Sequence, residues 1–328
     1  MGDIDINIKN FIKINSVFAQ LFEKWVYGGE VFIDPDKLQE LDTASQETMN
    51  LGEGQLKGIE RLRDAQKISM LFDGKMAFQI IMGVEGQAGV HYYMPVRCME
   101  LDALSYSFQC RKISEKAKEH KELQKYADGI PKGTKIVPTV TLVFYCGDKP
   151  WDGPLSIYDM LDIPENMKAW AKRTISDYQM NIIDAKHMTE QEIDLFEGDL
   201  KAFLLMIRER YNRKKLKTVV ATHRETWYAI STMKKDKRYA EYIDQLSDEA
   251  IEGGINMDAT LDRLITEEST KAEARGETRG QKKGESRVNE LGMRMEKAGR
   301  TADFLKSLSD RELQRRLFVE FKIDIENP

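Results

Sequence analysis

The sequence is poor in the residues that build metal–thiolate sites and disulfide frameworks. Its 328 residues include three cysteines and four histidines. Cys98, Cys110 and Cys146 form no CxxC pair, and the histidines show no ligand spacing. This pattern argues against a zinc site and is typical of reduced thiols in a cytoplasmic protein.

Long apolar runs are also missing. The longest near-apolar stretch, "IVPTVTLVFYC", is far shorter than the roughly 20 residues that a membrane-spanning helix needs. The first residues, "MGDIDINIKN", are acidic and contain no apolar core of a secretory signal. We therefore expect a cytoplasmic protein without a membrane partner.

An overall excess of positive charge is absent as well. The formal net charge is -5, and 32% of the residues are charged while 41% are hydrophobic. This composition is typical of a globular chain large enough to bury a sizeable core. Any binding of nucleic acid would have to come from a local basic patch.

The pattern of apolar residues predicts helices and strands in alternation. We expect an N-terminal helix over 15–27, capped by Asn15 or Ser16, a helix over 96–126, and helices over 189–250 that begin with a Thr189–Glu192 capping box. Strands are predicted in "IERLRDAQKISML", "MAFQIIMGVEGQ", "PKGTKIVPTVTLVFYCG" and 178–183, the first two joined by a turn at Asp73–Lys75. This order favours an α/β fold with a mixed sheet.

One strand ends in an acid and an amide. Glu85 and Gln87 are two residues apart and project from the same side of a strand. A carboxylate there is costly to bury without a cation, and Mg²⁺ binds through one or two carboxylates. Asp64, on the preceding strand, is the best second ligand. The residues alone equally allow a solvated Glu85 at a strand edge and a surface charge cluster around Asp64.

Five segments in this order resemble the recombination-promoting nucleases, a putative transposase family of the PD-(D/E)xK nuclease superfamily. They are "RLRDAQK", "DGK", "GVEGQAGVHYYMPVR", "DALSYSFQ" and "IVPTVTLVFYCGDKPWDGPLSIYDML". The resemblance spans roughly residues 10 to 250. It implies a restriction-endonuclease-like αβββαβ core with a mixed central sheet and a helical C-terminal extension. It also implies a magnesium-dependent DNA endonuclease in which Mn²⁺ can substitute.

The resemblance assigns roles to individual residues. Asp64 and Glu85 match the two metal carboxylates of the family. Gln87 stands where the superfamily usually has Lys, and it can position water or phosphate only by hydrogen bonds. We therefore expect a slow enzyme that needs a second metal or another basic residue, with Lys67 and Arg97 as candidate helpers that could equally be structural.

Basic residues cluster in Arg208–Lys217 and again in Lys234–Arg238. The candidates for phosphate contact are Lys67, Arg97, Arg213, Lys214, Lys215 and Lys217. If these residues form one surface, they predict sequence-tolerant DNA binding that weakens with salt. The alternative is a solvated charged helix face, which predicts no DNA binding. Replacing Lys214, Lys215 and Lys217 by neutral residues tests the patch.

The chain is predicted to have four segments. The resemblance implies a nuclease-like domain over 1–188 followed by a helical extension over 189–266. The composition predicts a charged linker over 267–287 with glycines four residues apart, and a helical tail over 288–328. A homodimer is expected because nucleases of this fold often cut both strands as dimers. Two alternatives stay open: a catalytically weak DNA-binding or regulatory relative, and a helical assembly protein that oligomerises through its tail.

Overall fold

The computed structural model describes residues 6–30, 32–41, 64–72, 77–118 and 129–323. The chain divides into two units, Met1–Thr260 and Leu261–Pro328. The strands are β1 (Gln39–Glu40), β2 (Ala65–Phe72), β3 (Ala77–Gln87), β4 (Thr139–Tyr145), β5 (Asn181–Asp184), β6 (Val220–Ala221) and β7 (Ile255–Asn256). The α-helices are α1 (Ile6–Lys13), α2 (Asn15–Gln20), α3 (Met94–Lys118), α4 (Lys168–Thr174), α5 (Glu190–Ile193), α6 (Gly198–Met206), α7 (Arg213–Leu216), α8 (Arg224–Lys234), α9 (Arg238–Ile243), α10 (Asp248–Glu252), α11 (Met257–Lys297), α12 (Thr301–Ser307) and α13 (Arg311–Glu320).

Five strands form the central sheet of the first unit, in the order β1-β2-β3-β4-β5. β1, β2 and β3 pair antiparallel, whereas β3, β4 and β5 run parallel. Helix α3 connects β3 to β4, as a parallel pair requires. The mixed α/β sheet predicted from the sequence is thus confirmed. The predicted turn at Asp73–Lys75 lies outside the described residues, although the β2–β3 pairing itself is present.

Both faces of the sheet are covered, because apolar residues occupy successive positions of β4. Val143 faces α3 and packs with Met94 and Cys98. Phe144 faces the other way, where its ring lies 6.1 Å from that of Phe203 in α6. Continuous apolar runs of this kind are typical of strands buried on both sides. The sheet therefore lies between α3 and a helical layer that contains α1, α2 and α6.

The N-terminal helix predicted over 15–27 is present, but its predicted cap is wrong. It comprises α2 followed by a π-helical turn, Leu21–Val26, and it ends at Gly28, which has a φ of 60° that glycine adopts readily. The N-cap residue is Ile14 and has no side-chain cap bond. Asn15 instead accepts a hydrogen bond from Lys67 of β2. Asn15 therefore makes a tertiary contact with Lys67 in place of the local N-cap hydrogen bond.

The region predicted as helical over 189–250 is a series of short helices, α5 to α10, interrupted by β6. The predicted capping box is confirmed, since Thr189 accepts from the backbone of Glu192 and the Glu192 carboxylate accepts from the backbone of Thr189. In the part of the chain that the structure describes, no helix is long and apolar enough to cross a membrane.

The second unit contains most of α11, followed by α12 and α13. Residues 267–287, expected as a linker, lie inside α11 and are helical. Each glycine there disfavours the helix by about 1 kcal/mol relative to alanine, but Ala, Glu, Lys and Arg around them are good helix formers. The C-terminal end of α11 is fixed by a small core of Leu291, Met295, Leu317 and Ile323.

Candidate active site

Asp64 lies at the amino end of β2, directly before its first residue. Its Oδ2 accepts a hydrogen bond of 2.8 Å from the backbone nitrogen of Gly86 in β3. The contact follows from the antiparallel register, which pairs Ala65 with Val84 and so brings the chain before β2 next to Glu85 and Gly86. The carboxylate of Asp64 is therefore held beside the peptide that links Glu85 to Gly86.

Glu85 is fully buried in the sheet, where a charge needs a partner. Its Oε2 accepts two hydrogen bonds from Arg97 of α3, at 3.1 Å from Nε and 2.9 Å from Nη2. Burial lowers the pKa of the Arg97 guanidinium. The interactions with Glu85 and with the hydroxyl of Tyr93 outweigh the effect of burial, so the pKa is raised overall. Arg97, predicted as a helper, thus contacts a candidate metal ligand directly.

Lys9 is a site residue that the sequence analysis missed. Its Nζ lies 3.0 Å from Oδ1 of Asp64, and about a third of its side chain is exposed. The side chain comes from α1, whose other face buries Ile8, Phe11 and Ile12. That apolar spacing in the sequence could have revealed the helix, but not which strand end its lysine would reach.

The two candidate carboxylates are each balanced by one cation, from opposite sides of the sheet. Arg97 belongs to α3 on one face. Lys9 belongs to α1 on the other, since Phe11 of that helix stacks on Phe203 with ring centroids 4.4 Å apart. The site thus contains two ion pairs, Lys9–Asp64 and Arg97–Glu85, at the adjacent ends of β2 and β3.

Gln87 occupies the last position of β3 and is buried, with 6% of its surface exposed. It is paired in register with Tyr145 of β4, and its backbone carbonyl accepts a hydrogen bond of 2.8 Å from the nitrogen of Cys146. Because side chains alternate along a strand, Gln87 lies on the same face of β3 as Glu85.

The donor set fits magnesium better than zinc. Among the described residues, no group of three or more His, Cys, Asp and Glu side chains is arranged to hold a metal ion. Mg²⁺ does not require such a group, because it is commonly bound by one or two carboxylates and keeps several waters. Two oxygen-donor side chains at adjacent strand ends match that preference.

Lys67 lies in the interior of the first unit, with 2% of its surface exposed. Its Nζ donates to the carbonyl of Lys13 at 2.6 Å and to Oδ1 of Asn15 at 2.5 Å. Burial lowers its pKa. Lys67 therefore links β2 to the N-terminal helices, and we assign it no contact with DNA.

The basic patch predicted near residue 213 is partly neutralised by acids. Nε of Arg213 lies 2.8 Å from Asp258, and Nζ of Lys215 lies 2.5 Å from Asp194. Lys214 and Lys217 are exposed. The patch therefore carries less net charge than its sequence suggests.

Asp199 is the centre of a buried network that the sequence analysis also missed. Its carboxylate accepts five hydrogen bonds, from the backbone and hydroxyl of Thr222, the backbone and Nδ1 of His223, and the hydroxyl of Thr226. Burial works against the charged form, but these hydrogen bonds, led by that of His223, lower the pKa of Asp199. The network fixes the start of α8 against α6.

The comparison with protein families gives one match. A family model described as "Putative transposase, YhgA-like" matches residues 113–238, less than half of the chain. The predicted resemblance to a transposase family is confirmed. The matched segment runs from α3 to the start of α9, so Asp64, Glu85 and Gln87 precede it. No curated protein and no solved structure matches the chain.

Proposed function

We propose that this protein is a magnesium-dependent DNA endonuclease with a transposase-related or recombination-promoting role. The similarity of residues 113–238 to YhgA-like transposases supports a function on DNA. The hydrogen bond between Asp64 and Gly86 carries the catalytic part of the proposal, because it holds one carboxylate next to the strand position of the other. The order of one helical layer, three antiparallel strands, a crossover helix and a parallel strand supports a restriction-endonuclease-like core.

In this proposal Asp64 and Glu85 hold the metal. A bound Mg²⁺ would lower the pKa of water and neutralise charge on the phosphate. Gln87 orients the attacking water by hydrogen bonding, since an amide both donates and accepts. The positive charge that a lysine at this position would supply has to come from elsewhere. Lys9 and Arg97 are the cations in contact with the two carboxylates.

The test is cleavage of supercoiled plasmid by the purified protein. We expect nicked and linear products with Mg²⁺ or Mn²⁺ and none with EDTA. Products of equal yield with EDTA, or none with either metal, would contradict a metal-dependent endonuclease.

Replacing Lys9 by Met should slow cleavage by about 10- to 100-fold at saturating Mg²⁺, because it removes a preorganised charge beside the reacting phosphate. Single-turnover rates against metal concentration measure the effect. Lys13→Met is the matched control, since Lys13 belongs to the same helix and its side chain is exposed. If Lys9→Met instead cleaves faster at low Mg²⁺ and equally at saturation, Lys9 only competes with the metal.

A catalytically weak DNA-binding relative is the second candidate. The observation that favours it is the pairing of both carboxylates with side-chain cations at a site where Gln87 replaces the usual lysine. This alternative predicts DNA binding by the wild-type protein without divalent-dependent cleavage. The homodimer stays a prediction, and light scattering of the full chain and of a chain lacking residues 267–328 tests it.

A further inference from the structure

A groove of about 580 Å³ opens beside the carboxyl end of β5. Lys186 and His187, two and three residues after the end of that strand, line one side. Arg208 and Arg210, which follow α6, and Lys234, the last residue of α8, line the other. Three separate segments of the first unit thus bring their basic side chains to one concave surface.

The groove carries an excess of positive charge in a protein whose net charge is negative. Its lining includes four Lys and Arg side chains but only two acids, Asp148 and Glu209. Asp148 is already bound to Lys186, with an Nζ to Oδ1 distance of 2.5 Å. That pair lowers the pKa of Asp148 and leaves the remaining cations facing a single acid.

Two of the lining cations, Arg208 and Lys234, are held by uncharged groups. Arg208 donates from Nη1 to the carbonyl of Met188 at 2.5 Å. Lys234 donates from Nζ to the carbonyl of Arg208 at 2.9 Å and lies 4.7 Å from the ring centroid of Tyr211. Within the described residues, no carboxylate lies within ion-pair distance of either side chain. Glu190 and Asp236 attract Arg208 and Lys234 only from beyond that distance, so both cations can still contact an anion.

Arg208 and Arg210, the first basic residues of the predicted Arg208–Lys217 stretch, line the groove, and the rest of that stretch differs from them. There, Arg213 and Lys215 already contact Asp258, Asp194 and Glu190. An incoming phosphate would have to displace those acids, and the exchange would add little net attraction. Charge complementarity therefore favours the groove over the patch as the surface for a polyanion.

The groove and the candidate active site lie at the same edge of the sheet. Gln87, Tyr145 and Asp184 are register partners in the three parallel strands, so their carboxyl ends share one edge of the sheet. Adjacent strands are about 4.8 Å apart, which places β5 roughly 10 Å from β3. That span equals the axial length of about three base pairs of duplex DNA.

We infer that this groove binds the phosphate backbone of the DNA strand whose scissile bond lies at Glu85 and Gln87. The inference rests on the proposed nuclease function for the identity of the ligand. The cations contact phosphates about three base pairs from the cleavage point and read no base, so binding through the groove is independent of sequence.

The experiment measures binding of the full-length protein to a fluorescent 30-base-pair duplex in EDTA, across a range of salt concentrations. The groove variant is Arg210→Gln with Lys234→Gln. The matched control is Lys214→Gln with Lys217→Gln, which removes the same charge from the predicted patch. Thermal unfolding of both variants checks that each remains folded, and Arg210→Glu, at an exposed position, repeats the test with a single change.

We expect the groove variant to bind at least about tenfold more weakly at 0.1 M salt, with the slope of log K against log salt shallower by about two. The control should stay within about twofold of the wild type. Wild-type affinity and slope in the groove variant, a greater loss in the control, or no DNA binding by the wild type would each overturn the inference. EDTA prevents metal-dependent cleavage, so binding is measured separately from catalysis. If DNA binding depends on the groove but the protein does not cut with Mg²⁺, the proposed nuclease function is wrong and the proposed DNA-binding role of the groove still holds.

Discussion

Replacing Glu85 by Gln should reduce Mg²⁺-dependent DNA cleavage by at least about 1000-fold, a loss of about 4 kcal/mol of transition-state stabilisation. The amide keeps the shape of the side chain but removes the charge that a divalent cation requires. Asp64→Asn should have a comparable effect, and its amide oxygen can still accept the hydrogen bond from Gly86. Single-turnover cleavage of a labelled duplex measures both.

The controls separate loss of the site from loss of the fold. Glu115→Gln removes an acid from α3 whose side chain is half exposed and paired with the neighbouring Lys112, so its activity should be unchanged. Glutamine is preferable to alanine at position 85, because its amide oxygen can still accept a hydrogen bond from the half-buried Arg97, whereas truncation would remove that acceptor and would cost several kcal/mol of stability. Binding of Tb³⁺, followed by luminescence, should weaken in Glu85→Gln and Asp64→Asn but not in Glu115→Gln. Wild-type cleavage by Glu85→Gln would disprove the assigned metal pair.

Replacing Asp199 by Ala should destabilise the protein by at least about 3 kcal/mol. The carboxylate accepts five hydrogen bonds and is 4% exposed, so its removal leaves several donors of the Thr222–Thr226 segment without a partner. Asp194→Ala is the matched control, because its partners, Lys201 and Lys215, lie at the surface and the change should cost less than about 1 kcal/mol. Urea denaturation measures both, and equal midpoints for the two variants would contradict the role given to the network.

The same network predicts a pH dependence of stability. The hydrogen bond that His223 donates to Asp199 raises the pKa of His223 above its usual 6.5, more than burial lowers it. A group whose pKa is higher in the folded state stabilises fully below its unfolded pKa, and the effect is lost as pH rises through the folded value. The stability difference between wild type and His223→Gln should therefore be larger at pH 5.5 than at pH 9. A difference that grows with pH would show that His223 is not stabilised as the cation.

The sequence predicted the elements of the site better than their contacts. Strand patterns located Glu85 and Gln87 at the end of β3, and a hairpin placed Asp64 near them. Lys9 could not be found in this way, because the contact with Asp64 joins residues 55 positions apart and depends on how α1 crosses the sheet. For a similar reason the sequence left open whether Lys67 is a helper or a structural residue. A lysine flanked by charged residues in the sequence is usually exposed, but here it fills the space between β2 and the N-terminal helices.

Local patterns by themselves determined the mixed α/β class, the capping box at Thr189 and the carboxylate–amide pair at the end of β3, since each depends on neighbours a few residues away. The tertiary structure alone decided which cations balance the two carboxylates. It also decided which of the described basic residues form ion pairs with acids and which do not. Those outcomes depend on distances between side chains that are remote in sequence. A count of lysines and arginines along the chain cannot supply them, because the strength of an ion pair is set by separation and burial.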